Sequence, residues 1–163
     1  MKENNTYLEY LISDLEFFLF SKRQKIDEYI KDKQFITYKD SIFIFDYLVE
    51  GFDKTTNLFK HLKETKNPNL IRDVCILSSE MLSWIIFSFP SIEKNLEILM
   101  YDFKIGKKHI IDHLGENLIL LDELIDKPDK LKFFYPDIID SMQDLNMSFG
   151  YVQKLIKESQ KEH

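Results

Sequence analysis

Residues Val74 to Phe89, with the sequence VCILSSEMLSWIIFSF, form the least polar run of the chain. Apolar side chains at helical spacing cover most of the circumference of this segment. A helix that is apolar almost all round lies at the centre of a bundle or spans a membrane. The run is shorter than the roughly 18 to 20 apolar residues that a spanning helix needs, and Glu80 lies within it. The segment therefore predicts the central helix of an all-α domain.

The same helical spacing continues on both sides of this run. The predicted helices cover residues 6–33, 38–65, 68–87, 91–106, 110–127 and 136–158. Prolines set several of these limits. Pro68 and Pro136 are placed in first turns, where proline is favoured, and Pro90 ends the third helix because it drives Phe89 out of the α region. We predict one domain over residues 1–163, a single antiparallel bundle of five to six helices.

Composition excludes several other classes of protein. The 163 residues include 4 Gly, 4 Pro, 1 Cys and no Ala, which is too few turn residues for a β-sandwich or barrel and leaves no glycine-rich phosphate loop. The net charge is −6 and only Arg23 and Arg72 are arginines, which argues against nucleic-acid binding. There is no signal-peptide pattern, and a lone cysteine indicates a reducing compartment. We expect a cytoplasmic protein with no nucleic-acid or membrane partner. The lack of alanine and the excess of lysine over arginine indicate an AT-rich genome.

Glu80 is the most informative single residue of the central helix. A carboxylate there is either neutral, with a raised pKa, or paired with a cation, because burial of an isolated charge is very costly. Arg72, two turns earlier on the same helix, is a candidate partner, as is a lysine or tyrosine from another helix. Glu80 is therefore a candidate buried acid. The alternative is a glutamate at the helix boundary or in a structural hydrogen bond.

The histidines suggest a metal site. His109, His113 and Glu116 project from one side of the fifth predicted helix, because they are spaced by four and three residues. His61 and Glu64 form a similar pair on the second predicted helix. Histidines and carboxylates that converge from facing helices are the usual ligands of metal ions in bundles. The alternative is a set of ordinary surface histidines, since His61 also falls in the polar stripe of its helix.

Two aromatic strings lie at predicted helix junctions, one ending at Pro90 and one at Pro136. Exposed aromatic side chains act as anchors in protein interfaces. The alternative is that these rings close the ends of the bundle. The candidate interaction residues are Phe87, Phe89, Phe133, Phe134 and Tyr135.

These features favour a non-enzymatic interaction or regulatory module, such as an adaptor, an antitoxin or an immunity-type protein. It would bind a protein partner through an acidic surface with aromatic anchors. Catalysis is poorly supported, because Cys75 lies on the apolar side of its helix and the nearby serines lack a nucleophile elbow. We expect no cofactor for such a module. The alternative function is a metal-binding helical bundle that uses the histidine and glutamate set above, and a homodimer is compatible with either function.

Overall fold

The computed structural model describes residues 6–96 and 106–161, with the backbone alone for 106–109 and 161. These residues form α1 (Thr6–Lys31), α2 (Tyr38–Lys60), α3 (Pro68–Leu96), α4 (Gly106–Asp126), a short 3₁₀ helix (Pro128–Lys130) and α5 (Leu131–Lys161). The helices pack against one another and no strand occurs in the described residues. The predicted all-α bundle is confirmed.

Helix α3 lies at the centre of the bundle, as its apolar run predicts. It packs against α1, α2 and α4, while α5 lies against α2 and α4. Its inward side chains, such as Val74, Met81 and Ile85, are fully buried. Within the two described ranges, no helix has the length and hydropathy that a membrane span requires.

The prediction that α3 ends at Pro90 is wrong. The helix continues through Pro90 to Leu96, because the buried stripe continues with Phe89, Ile92 and Leu96, all fully enclosed. Proline removes one backbone donor from the helix, but burial of Phe89 just before it and of Ile92 and Leu96 beyond it outweighs that loss. The predicted start of the last helix at Pro136 is also wrong, since α5 begins at Leu131 and Pro136 lies inside it.

A buried carboxylate joins the end of α1 to the start of α2. Asp40, only 3% exposed, accepts hydrogen bonds from the Tyr29 hydroxyl at 2.5 Å and from the Lys33 ammonium at 2.8 Å. Its second oxygen accepts from the backbone N–H of Thr37, whose own hydroxyl accepts from the Asp40 N–H. The ion pair with Lys33 and these donated hydrogen bonds hold the pKa of Asp40 well below its usual range. This capping box and its two α1 partners fix the angle at which the chain enters α2.

Three helices meet at Gly51 in α2. A methyl group built on Gly51 would lie 2.7 Å from the Met81 sulfur of α3 and 2.8 Å from a ring carbon of Phe18 in α1. Hydrogen at this position is therefore what lets the three helices pack as closely as they do. On the other side of α2, the ring of Phe149 from α5 packs edge-on against Phe52, with centroids 5.3 Å apart.

Candidate functional site

The structure places Glu80 on the surface, so the prediction of a buried acid is wrong. Helices α1, α2 and α4 cover most of α3 but leave one strip of it in solvent. Glu80 and Ser83 lie on this strip, together with two apolar residues, Ile76 at 41% exposed and Phe87 at 84% exposed. A charged side chain on this strip remains hydrated, so its exposure has no energetic cost. The apolar positions beside it, and not the glutamate, are therefore the unusual feature of the strip.

Arg72 holds the end of α4 against α3. Its Nε donates a hydrogen bond of 3.1 Å to the carbonyl oxygen of Ile125, in the last turn of α4. The last carbonyls of a helix have no partner within the helix, and a cation at that end is favourable. No ion pair joins Arg72 to Glu80 in the described part of the chain, so the predicted pairing of these two residues is also wrong.

The exposed strip of α3 forms the floor of a groove of about 540 Å³ between α1, α3 and the end of α4. We call this the α1–α3 groove. Its apolar lining comes mainly from α3, and its charged groups come from both α1 and α3. The lining residues include Arg23 and Asp27 of α1, Ile76, Glu80, Trp84 and Phe87 of α3, and Ile125 of α4.

Two hydrogen-bond donors in the α1–α3 groove have no partner within the described residues. They are the indole Nε1 of Trp84, whose side chain is only 5% exposed, and the hydroxyl of Ser79. A buried polar group without a partner costs roughly 1–3 kcal/mol, and buried tryptophan N–H groups usually find an acceptor. Ser78, the residue before Ser79 on α3, also has a hydroxyl with no partner among the described residues, but it does not line the groove.

One exposed aromatic side chain lines the α1–α3 groove, and a second lies on α1 one turn from a lining residue. Phe87 lines it from α3, and Phe20, 73% exposed, lies one turn before Arg23 on the same face of α1. Phe20 is not among the interaction residues predicted from the sequence. The signal was the run Phe17 to Phe20, because four consecutive apolar residues cannot all point into the core from one helix. The structure buries Phe18 and Leu19 and leaves the other two in solvent.

The other predicted interaction residues separate into buried and exposed ones. Phe89 is fully buried, so its prediction as an anchor is wrong. Phe134 is partly buried against the core. Tyr135 stacks on Phe59 at 5.4 Å, and burial raises the pKa of its hydroxyl. These three rings fit the alternative that the strings close the bundle. Phe133, at 77% exposed, is an exposed ring near the start of α5.

The described residues do not assemble the predicted metal site. His61 and Glu64 lie in the turn after α2, which ends at Lys60. His61 Nδ1 lies 2.8 Å from the Asn57 carbonyl oxygen. His113 Nδ1 lies 3.1 Å from the Ser141 hydroxyl of α5.

Glu116 is an exposed residue on α4. The side chain of His109 lies outside the described residues. Among the side chains that are described, no three from histidine, cysteine, aspartate or glutamate come together as ligands.

Cys75 is fully buried in α3, and burial raises the pKa of its thiol to about 12. A thiol is a nucleophile only as the thiolate. At neutral pH this side chain is therefore a small apolar group of the core.

The fold and the groove together define an all-α bundle with an amphipathic surface groove beside its central helix. A family model described as "Uncharacterized protein" matches residues 8–163. The match spans nearly the whole chain, so the protein belongs to this family. Comparison with curated proteins finds no match, and comparison with solved structures finds none either.

Proposed function

We propose that this protein is a non-enzymatic interaction module that binds another protein in the α1–α3 groove. One observation carries the proposal: the exposed ring of Phe87 and the exposed side chain of Ile76 line one surface groove, and a second exposed ring, Phe20, lies one turn before the lining residue Arg23. Aromatic residues concentrate binding energy at protein interfaces. Exposed apolar groups within a polar surround are typical of interaction sites. Adaptor, antitoxin and immunity-type proteins all act by covering a surface of their partner, and the proposal includes these classes.

The partner that fits the groove is a protein with an amphipathic helix. A cleft between two helices receives the apolar face of a third in the helix-in-groove mode of recognition. Carboxylates at Asp27 and Glu80 line the cleft beside the single cation Arg23, and the whole chain carries a net charge of −6. Complementary potentials favour correct partners and speed their encounter. We therefore expect lysine or arginine beside the apolar face of the partner helix. The lone cysteine supports placing this module in a reducing compartment such as the cytoplasm.

Affinity purification from the native host tests this proposal. The baits are the wild-type protein, the separate variants Phe20→Asp and Phe87→Asp, and the control Met147→Asp, which changes an exposed apolar residue of α5 outside the groove. We expect the wild-type and control baits to retain a partner that both groove variants lose. With purified components, titration calorimetry should show an affinity about 30-fold lower or more for Phe87→Asp, as for an interface hot spot.

Two outcomes would contradict the proposal. In the first, a partner binds equally well to the wild-type protein and to both groove variants. In the second, the wild-type protein is a homodimer by light scattering and Phe87→Asp makes it a monomer, so that the groove is a contact between two copies. A Phe133→Asp bait tests the exposed ring near the start of α5 separately. We expect this variant to retain the partner.

A further inference from the structure

We infer that this protein binds a small organic carboxylate, an apolar body with one negative charge, in a second groove at the end of the bundle where α5 begins. This groove has a volume of about 570 Å³, which is within the range of small-molecule sites. It shares no lining residue with the α1–α3 groove, so the inference goes beyond the proposed function. We call it the lysine groove. Its lining includes Lys63 and Lys66 of the segment between α2 and α3, Ile71 of α3, Pro128 of the 3₁₀ helix, and Leu131 and Lys132 of α5.

The floor and one wall of the lysine groove are apolar. Ile71 and Leu131 are almost completely buried, and Pro128 is buried beside them. The half-buried ring of Tyr135 and the exposed ring of Pro136 line the groove above this floor. Apolar surface of this kind favours a ligand that releases water from it on binding. The ligand therefore has an apolar body, and a small inorganic anion would not use this surface.

The aromatic wall is held in place without a ligand. The ring of Tyr135 stacks on Phe59 with centroids 5.4 Å apart and 9° between the ring planes. Its hydroxyl donates a hydrogen bond of 3.1 Å to the carbonyl oxygen of Lys60. Pro128 and Pro136 line the same groove, and the proline ring fixes the backbone φ angle. Walls that are already ordered lower the entropy cost of binding. The lysine groove is therefore a pre-formed site.

The charges at the rim of the lysine groove select an anion. The rim carries three ammonium groups, on Lys63, Lys66 and Lys132, against two carboxylates, on Glu64 and Asp129, which leaves one positive charge in excess. Lys63 and Lys132 form no ion pair within the part of the chain that the structure describes. The α1–α3 groove has the opposite balance, and the whole chain carries a net charge of −6. Because complementary charges favour the correct partner, a single excess positive charge matches a monoanion such as a carboxylate.

Titration of the full chain with 2-naphthoate, followed by ¹H–¹⁵N NMR, tests the inference. The control ligand is 2-naphthamide, which has nearly the same shape and no charge. We expect 2-naphthoate to bind with a dissociation constant of about 1 mM or tighter. It should shift the amide signals of residues 63–66 and 129–135 and leave those of the α1–α3 groove unchanged. The affinity for 2-naphthamide should be lower by about 2- to 5-fold, and added salt should weaken the binding of 2-naphthoate alone.

Lys132→Gln and Lys127→Gln form a matched pair of variants. Each removes one positive charge from an exposed lysine near the start of α5, but only Lys132 lines the groove. We expect Lys132→Gln to lower the affinity for 2-naphthoate by about 2- to 5-fold, the effect of one exposed ion pair. Lys63→Gln should have a similar effect, and Lys127→Gln should bind as the wild-type protein does. Urea midpoints of all three variants should stay close to that of the wild-type protein, because the changed side chains are exposed.

Several results would overturn the inference. Equal affinities for 2-naphthoate and 2-naphthamide would show that the rim lysines do not select an anion. Equal losses of affinity in Lys132→Gln and Lys127→Gln would show that the effect is one of net charge and not of the lysine groove. Absence of binding by either ligand, or amide shifts confined to the α1–α3 groove, would also overturn it.

Discussion

Substitution of Gly51 by alanine should destabilise the protein relative to the same substitution at Gly115. At Gly51 a new methyl group would lie 2.7 Å from the Met81 sulfur and 2.8 Å from a ring carbon of Phe18. Favourable contacts between heavy atoms occur at about 3.5–4.0 Å, so these neighbours must move apart. At Gly115 and Gly150 nothing lies within 4 Å of the added methyl group.

The magnitude follows from two opposing effects. Alanine in place of glycine stabilises a helix interior by about 1 kcal/mol, and this gain is common to all three positions because all are helical. Overpacking a close contact in the core costs about 1–3 kcal/mol. The difference between Gly51→Ala and Gly115→Ala removes the common gain and leaves the packing cost. We therefore expect Gly51→Ala to be less stable than Gly115→Ala by about 1–3 kcal/mol.

Urea unfolding followed by circular dichroism at the helix bands measures this difference, with Gly150→Ala as a second control. Thermal midpoints should differ by about 2–4 °C for each kcal/mol in a chain of this length. Equal stability of Gly51→Ala and Gly115→Ala would refute the reasoning, because it would mean that the Met81 thioether and the Phe18 ring can move aside at no cost. The double variant Gly51→Ala/Met81→Ala provides an internal check. Its loss of stability should be smaller than the sum of the two single losses, since the second change makes room for the first.

Three further predictions concern a buried carboxylate, an aromatic ring and the thiol. Folding lowers the pKa of Asp40 from its ordinary value of 3.8, so the unfolded chain binds the proton more tightly. The stability that Asp40 contributes is therefore present above about pH 4 and is lost as the pH falls further. Urea midpoints should fall more steeply with acid for the wild-type protein than for Asp40→Asn, and parallel plots of midpoint against pH would contradict this. Phe149 is fully buried against two other rings, so Phe149→Ala should lower the free energy of unfolding by about 3–5 kcal/mol. Phe133 is an exposed ring, so Phe133→Ala should change that free energy by less than about 0.5 kcal/mol. Similar losses in the two variants would contradict the assigned burial. Cys75 is buried, and its pKa is raised to about 12. A disulfide reagent at neutral pH should therefore react with this thiol only at the rate at which the protein unfolds. Rapid reaction without urea would contradict this and would show that α3 opens locally.

Periodicity was enough to predict the helices but not where α3 ends. The spacing of apolar residues places α1, α2 and α5 near their observed positions, because one buried stripe per helix is the main requirement of a bundle. The rule for the residue before proline predicts a break at Phe89, and it fails because it is a local preference. Burial of Phe89 and Ile92 on the continuing stripe is a tertiary effect, and no local rule contains it.

The groove could be predicted only in part, for a related reason. Phe87 is exposed, whereas Phe89, two residues away, is buried. Residues two apart point in different directions on a helix. An aromatic string placed at a helix junction predicts the same surroundings for both rings, so the sequence does not separate them. Continuation of α3 through Pro90 removes that junction and assigns the two rings to different sides of one helix.

Glu80 lies on the exposed strip of α3 that lines the groove, although the expectation of a buried acid at this position is wrong. A glutamate within a strongly apolar run was interpreted as a buried acid, on the assumption that a central helix is covered on all sides. The structure shows a central helix covered on all sides but one, and Glu80 lies on the open side. A helix with this arrangement needs polar residues only on a narrow strip. Ile76 and Phe87 are on that strip as well, where solubility alone favours polar side chains. The proposed binding site is placed here because Ile76 and Phe87 depart from this polarity, beside two donors, on Ser79 and Trp84, that have no partner within the described residues.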